Sequence, residues 1–320
     1  MVDTPLHEGT DAREFANPSV AADLRDRVRT LQPRLVEWRR QIHQYPELGF
    51  QERETAKLVA QCLDEWGINY RPEVAQTGIV ATISGSQPGR TLAIRADMDA
   101  LPIQEDNDVE YRSRRDCVMH ACGHDGHTAI ALGTAKLLQE NRDRLKGTVK
   151  IIFQPAEERP GGAKPMIEEG ALQNPDVDAI VGLHLWNNLP LGQVGVKSGP
   201  SMATSDAFRL HVLGRGGHGA IPHQTIDAIE VGALIVTALQ TIVSRNVNPL
   251  HSAVISIGKF QAGDTFNVIA QRAEIAGTVR SFDPEEADLL PRRIEEVAAG
   301  ICKAHGATYH LDYRRHYPAV

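Results

Sequence analysis

Aromatic residues make up only 5% of this 320-residue chain, and the four cysteines (Cys62, Cys117, Cys122, Cys302) include no Cys-x-x-Cys pair. So few cysteines in so long a chain exclude a disulfide framework and suit a reducing compartment, the cytoplasm. No basic stripe is long enough to follow a phosphate backbone, because Lys+Arg 34 stand against Asp+Glu 41 for a net charge of -7. Nucleic acid is not an expected partner. The one basic cluster, Arg112, Arg114 and Arg115, is broken by Ser113 and followed by Asp116, as in a solvated loop. No apolar run reaches the ~20 residues of a membrane span. The longest, 231–243, is interrupted by Thr237, Gln240 and Thr241 and reads as a buried helix, so no membrane partner is expected. The opening MVDTPLHEGTDAREF is too charged for an export signal, and the first ~17 residues lack periodicity, as a loose tail would. Internal repeats and low-complexity segments are missing as well.

What is present is an ordinary globular composition, 42% hydrophobic and 23% charged, in a chain long enough for two domains. Leu24, Val28, Leu31, Leu35, Trp38 and Ile42, then Leu58, Cys62 and Leu63, recur at helical spacing on either side of a turn at 45–49. Strand-like runs at 79–83 and 91–96 flank a turn at 85–89. A helix over 126–138 and strands over 149–153 and 179–184 continue an alternation that argues for an α/β sheet covered on both faces. After Gly199 the pattern changes. Strand 206–213, helix 226–243, strands 253–260 and 274–280, helix 284–305 and strand 308–313 give the order β-α-β-β-α-β, the ferredoxin-like unit. The expected domains are 18–199 and 200–316.

Four stretches carry chemistry. His120-Ala121-Cys122-Gly123-His124-Asp125-Gly126-His127 crowds a thiol and three imidazoles before a helix, with glycines that let the backbone bend. The helix N-terminus would favour Cys122 as thiolate. Alone, this run is equally a loop with a cytosolic thiol. Glu157 and Glu158 follow an apolar strand; in extended chain they would point to opposite sides, one to a metal and one to a substrate. Such a pair is more often a solvated acidic turn. His184 ends another strand, where a lone histidine is usually a satisfied core residue. Asp97 and Asp99 share one side of a strand end, the place where α/β enzymes build sites and where acids also merely cap.

In order along the chain, RRQIH at 39–43, PELGF at 46–50, RADMDALP at 95–102, MHACGHDGH at 119–127, FQPAEE at 153–158, GLH at 182–184, GRGGHGAIPH at 214–223, NVI at 267–269 and GTVRSF at 277–282 resemble the amidohydrolase branch of the M20 metallopeptidases. That branch includes hippurate hydrolases, N-acyl-L-amino acid amidohydrolases and auxin-conjugate hydrolases. The resemblance implies a zinc-exopeptidase-like catalytic domain with an inserted ferredoxin-like lid and dimerisation domain. It implies hydrolysis of N-acyl amino acids by two divalent ions (Mn, Zn, Co or Ni) bound by Cys122, His124, Glu158 and His184, with Cys122 bridging. Hydroxide held between the ions attacks the carbonyl, and Glu157 is the general base. Asp97 stands where other branches have the histidine of His-x-Asp, and Asp99 orients a metal-side group. His218 matches the histidine that a partner subunit extends to the oxyanion, which implies a homodimer through the lid. Asn267 matches a lid residue near the same oxygen, and Arg280 a clamp for the substrate carboxylate.

Three departures from the family pattern stand out. Cys117 replaces a glycine and Ala270 a proline. The pattern also continues beyond Val320 to a final histidine ligand, for which His305, His310 and His316 are poor substitutes, so the chain reads as truncated. Two other functions fit parts of the sequence. A metallo-exopeptidase acting on dipeptides would need an acidic anchor for the free amine, and none is recognisable. A non-catalytic dimeric binding protein would not need Cys122, His124, Glu157, Glu158 and His184 together.

Overall fold

The apolar residues at helical spacing form α1 (Pro18–Gln44) and α2 (Arg53–Glu65) in the computed structural model, which describes residues 18–320. The opening segment, expected to be a loose tail without an export signal, lies outside the described residues. The chain divides into a first unit ending at Pro190 and a second, Leu191–Val320, so the change of pattern after Gly199 falls inside the second unit.

The first unit continues with β1 (Asn69–Val74), β2 (Gly78–Ser84), β3 (Gln87–Asp97), α3 (His124–Glu140), β4 (Lys146–Gln154), α4 (Ala163–Glu168) and β5 (Ala179–Gly182). Its five-stranded sheet runs β1-β2-β4-β3-β5, with β3 parallel to β4 and β5, and β2 antiparallel to both neighbours. The near-continuous apolar run of β4 is explained by burial on both sides. Val149, Ile151 and Phe153 pack with Trp38, Leu63 and Leu132 of the helices, whereas Ile152 meets Val80, Ala93 and Met166 on the opposite face. Lys150, 2% exposed, is accommodated on that second face by donating to the carbonyls of Ala171 and Gln173. β5 is covered only in part on either face, since Ile180 and Val181 stay 52% and 50% exposed. Sequence reading passed over β1 and α4. β1 is a polar edge strand containing Pro72, and α4 is too short to display a period. The expected turn at 85–89 is shorter than predicted, because β3 already pairs at Gln87.

The second unit comprises β6 (Ser205–Leu213), β7 (Gly217–His218), α5 (Ala228–Asn246), β8 (Ala253–Ala262), β9 (Val268–Ile269), β10 (Arg272–Ser281), α6 (Pro284–His305) and β11 (Thr308–Tyr317). The four long strands form an antiparallel sheet ordered β11-β6-β10-β8, and with the helices they realise the β-α-β-β-α-β order. Leu210, Ile235, Leu239, Ile275, Leu290 and Ile294 lie in its core. By length and composition α5 could cross a membrane. In this fold Val231, Ile235, Leu239 and Ile242 turn inward at helical spacing, and Gly232 allows Phe260 so close that a Cβ there would stand 2.7 Å from its ring. The β7–β9 ribbon, unforeseen from sequence, pairs His218 with Val268.

Candidate metal centre and active site

Three parallel strands of the first unit, β3, β4 and β5, end on one side, and α3 begins there, which is where open α/β sheets place their ligands. Gly123, with φ 91°, turns the chain into α3 and leads directly to His124. Close approach is also required at Gly126, where a Cβ would lie 2.5 Å from Leu185 Cδ1. His124 Nδ1 lies 2.9 Å from the Asp99 carbonyl and 3.2 Å from its carboxylate, so Nδ1 donates and Nε2 is left to face the site. That Nε2 is buried with no hydrogen-bond partner. Ligand atoms of Cys122, His124 and His184 all lie within 4.8 Å of one another, and so do those of His124, Glu157 and Glu158. His124 is therefore the junction of a thiol–imidazole group and a double-carboxylate group. At His184, Nδ1 donates to the Leu185 carbonyl at 2.7 Å and Nε2 faces Cys122 Sγ at 3.4 Å.

The acids after β4 do not sit on extended chain as expected. They lie on a turn entered through Ala156, whose φ is 49°, and both carboxylates gather at His124. Asp99 builds this turn. Its Oδ1 accepts the Glu157 N–H at 2.9 Å and its Oδ2 the Glu158 N–H at 3.0 Å. With His124 as a third donor, the Asp99 carboxylate is fully engaged in holding the residues that face the site. The Glu52 carboxylate, buried beneath, accepts the Ala156 N–H at 2.7 Å.

His127 was part of the quoted motif but had no assigned role. Leu185 N–H donates to its Nε2 at 2.8 Å, so Nδ1 bears the proton and donates to Asp97 at 2.6 Å. Arg95 Nη1 holds the other Asp97 oxygen at 2.6 Å. Asp97 and His127 thus fix the main chain beside His184, and the pair of ion-like contacts holds the Asp97 carboxyl down at about 2 despite its burial. The signal was available in principle. His124 and His127, spaced i, i+3, share a helix face, and Asp97 and Asp99, spaced i, i+2, share a strand face. A second buried network, also missed, joins His43 to Asp125 at 2.7 Å and to Glu105 at 3.0 Å, with Arg39 on Asp125. Beside it His120 is buried without a partner on either nitrogen, and burial lowers its pKa to about 4.

Electrostatics without a cation are out of balance. Burial raises the Glu157 pKa, and Glu158 adds repulsion, while Arg95 at 4.0 Å moderates both. The nearby His124 favours the Cys122 thiolate, but burial and Glu158 outweigh it and leave the thiol's pKa raised. Burial opposes a charge on His124, yet Asp99, Cys122 and Asp97 push its pKa up to about 11. A thiol, two imidazoles and two carboxylates converge around His124, and divalent ions fit that donor set.

The remaining sequence candidates lie in the second unit. His218 and Asn267 meet on the β7–β9 ribbon, where the Gly219 N–H donates to the Asn267 carbonyl at 2.9 Å. The Ala220 N–H donates to His218 Nδ1 at 3.0 Å, which leaves the proton on an exposed Nε2. Arg280, on β10, uses Nη1 on the carbonyls of Asp206 and Val279.

Comparison with known proteins places this architecture. Residues 93–320 match the family model for peptidase family M20/M25/M40. An N-acyl-L-amino acid amidohydrolase of Geobacillus stearothermophilus is 48% identical over 287 residues, covering 89% of this chain and 77% of its own length. An N-acetylcysteine deacetylase of Bacillus subtilis is 46% identical over 289 residues, covering 90% and 75%. The crystal structure of the Bacillus subtilis YXEP protein, a dinuclear metal-binding peptidase of the M20 family, superposes with TM-score 0.79 at 41% identity, covering 91% of this chain and 76% of that one. With a family model spanning most of its length and relatives so similar, the chain belongs to peptidase family M20/M25/M40.

Proposed function

We propose that this chain hydrolyses the amide bond of N-acyl amino acids, using two divalent metal ions held by Cys122, His124, Glu158 and His184. The observation that carries this reading is the buried, unpartnered Nε2 of His124 at the junction of the thiol–imidazole and double-carboxylate groups. Bound there, such ions supply Lewis acidity, which polarises a carbonyl and acidifies water. Glu157 takes the proton from the attacking water and delivers it to the departing amine nitrogen. Asp99 holds the main chain of both glutamates, and His127 that of Leu185, so the side chains around the carbonyl keep their places through the proton transfers.

Dimerisation through the second unit completes the proposal. His218, with its proton on Nε2, donates to the oxyanion in the partner's site, beside Asn267. Arg280 keeps nitrogens for the substrate carboxylate. Four unpaired cysteines suit a reducing, cytoplasmic setting. A panel of N-acetyl, N-benzoyl and indole-acyl amino acids, assayed beside free dipeptides, tests the reading. Acyl-amino-acid hydrolysis that stops with a chelator and in Glu157→Gln supports it. Hydrolysis of free dipeptides alone would make the protein an exopeptidase, and metal binding without any turnover would make it a binding protein.

A further inference from the structure

One group of side chains in the second unit has no part in amide chemistry. His251, on the segment leading into β8, and Asp283 and Glu286, at the start of α6, bring one ligand atom each to within 4.8 Å of one another. Asp283 Oδ1 caps α6 by accepting the Glu285 N–H at 2.8 Å, and its other oxygen remains for a further partner. Glu286 is 5% exposed, with Oε1 placed 2.9 Å from His251 Nδ1. Its Oε2 is buried and has no donor at all, a rare and costly state for a carboxylate oxygen. Negative charge collects around His251, the imidazole of this group. The hydrogen bond to Glu286 raises its pKa, and Asp283 and Glu285 add to the effect. A divalent cation would meet the same charge and take up the orphaned oxygen.

We propose that His251, Asp283 and Glu286 form a separate binding site for a divalent transition-metal ion, one that ties the start of β8 to the start of α6. An imidazole and two carboxylates are the nitrogen and oxygen donors that Zn²⁺, Co²⁺ and Mn²⁺ accept, with water in the open positions. Binding replaces the His251–Glu286 hydrogen bond, and protons compete with the ion for the imidazole and the carboxylates, so uptake weakens in acid. This site shares no residue with the Cys122–His184 centre, whose ligands all belong to the first unit.

Equilibrium dialysis of the full chain against buffered free Zn²⁺, with metal per chain counted by mass spectrometry, tests the assignment. His251→Gln and Asp283→Asn should each hold one ion fewer per chain than the wild type. Asparagine caps a helix as well as aspartate, so Asp283→Asn separates ligation from folding. Cys122 should stay as protected from thiol reagents in both variants as in the wild type. Zn²⁺ should slow amide hydrogen exchange at 250–253 and 283–287 in the wild type, and not in His251→Gln. Equal metal content in all three proteins, or exchange in these segments that ignores Zn²⁺, would overturn the site and leave His251 and Glu286 as a hydrogen-bonded pair.

Discussion

Replacing Asp99 by asparagine changes one atom and should disturb both stability and metal binding. Asp99 is 1% exposed and its carboxylate accepts three donors, the Glu157 and Glu158 amides at 2.9 and 3.0 Å and His124 Nδ1 at 3.2 Å. An amide offers one acceptor oxygen. If that oxygen stays with Glu157 and His124, the NH₂ group confronts the Glu158 N–H, and a flip merely transfers the clash to the other side. The loss is a hydrogen bond to a charged group together with a buried N–H left unsatisfied, and with some relaxation it amounts to about 2–4 kcal/mol. The same displacement moves Glu157, Glu158 and His124, so metal affinity should fall by about 10–100-fold, the usual cost of losing a group that orients ligands. Trp38, Trp66 and Trp186 all belong to the first unit, so denaturant unfolding in excess chelator, followed by tryptophan fluorescence, reports its stability selectively. Competition with an indicator chelator reports affinity. A variant with the wild-type midpoint and the wild-type affinity would refute the account of Asp99 as the organiser of this turn.

Other substitutions separate the remaining roles. Glu157→Gln should keep its metal and lose about 10²–10⁴-fold in turnover, whereas Glu158→Gln should lose metal as well; retention of both in both variants would show the pair to be misassigned. Cys122 should react with thiol reagents only after chelation, so equal labelling with and without bound metal would remove it from the ligand set. Glu52 is fully buried and its pKa is raised, chiefly by burial. Its folded pKa lies above the unfolded one, so its contribution is present at pH below the unfolded value and is lost as pH rises through the folded value. Glu52→Gln should accordingly raise the melting temperature at pH 7 relative to wild type and lose that advantage near pH 4, and the opposite ordering would contradict the burial argument. Mixing Glu157→Gln with His218→Ala chains should restore activity in verified heterodimers if His218 serves the partner's site; silence there would confine it to its own chain or remove it from catalysis.

Local pattern made most of the elements legible. Apolar spacing marked α1, α2, α3, α5 and α6, and short apolar or alternating runs marked the strands β2, β3, β4, β6 and β10, because two-sided burial leaves a continuous apolar run and one-sided burial a periodic one. It failed where burial is slight or the element short, at β1, α4 and the β7–β9 ribbon. The candidate ligands Cys122, His124, Glu158 and His184 were readable from residue type and motif, since few side chains bind metal and these recur in a recognisable order. Their mutual distances were not readable, because Cys122 and His184 stand 62 positions apart and meet only when β3 lies between β4 and β5. The roles of His127, Asp97 and Glu52, and the hold of Asp99 on the glutamate main chain, were hidden for the same reason. Asp99, His127 and Glu52 act by hydrogen bonds to main-chain atoms distant in sequence and Asp97 through the side chain of His127, and such bonds leave no periodic or compositional trace. The sequence by itself determined which residues can ligate and which can carry a proton, because those are properties of side-chain type. Only the tertiary structure decided that Glu157 and Glu158 share a turn on one carboxylate, and that His124 Nε2 is buried without a hydrogen-bond partner, because hydrogen-bond geometry and burial exist only once distant strands have been brought together.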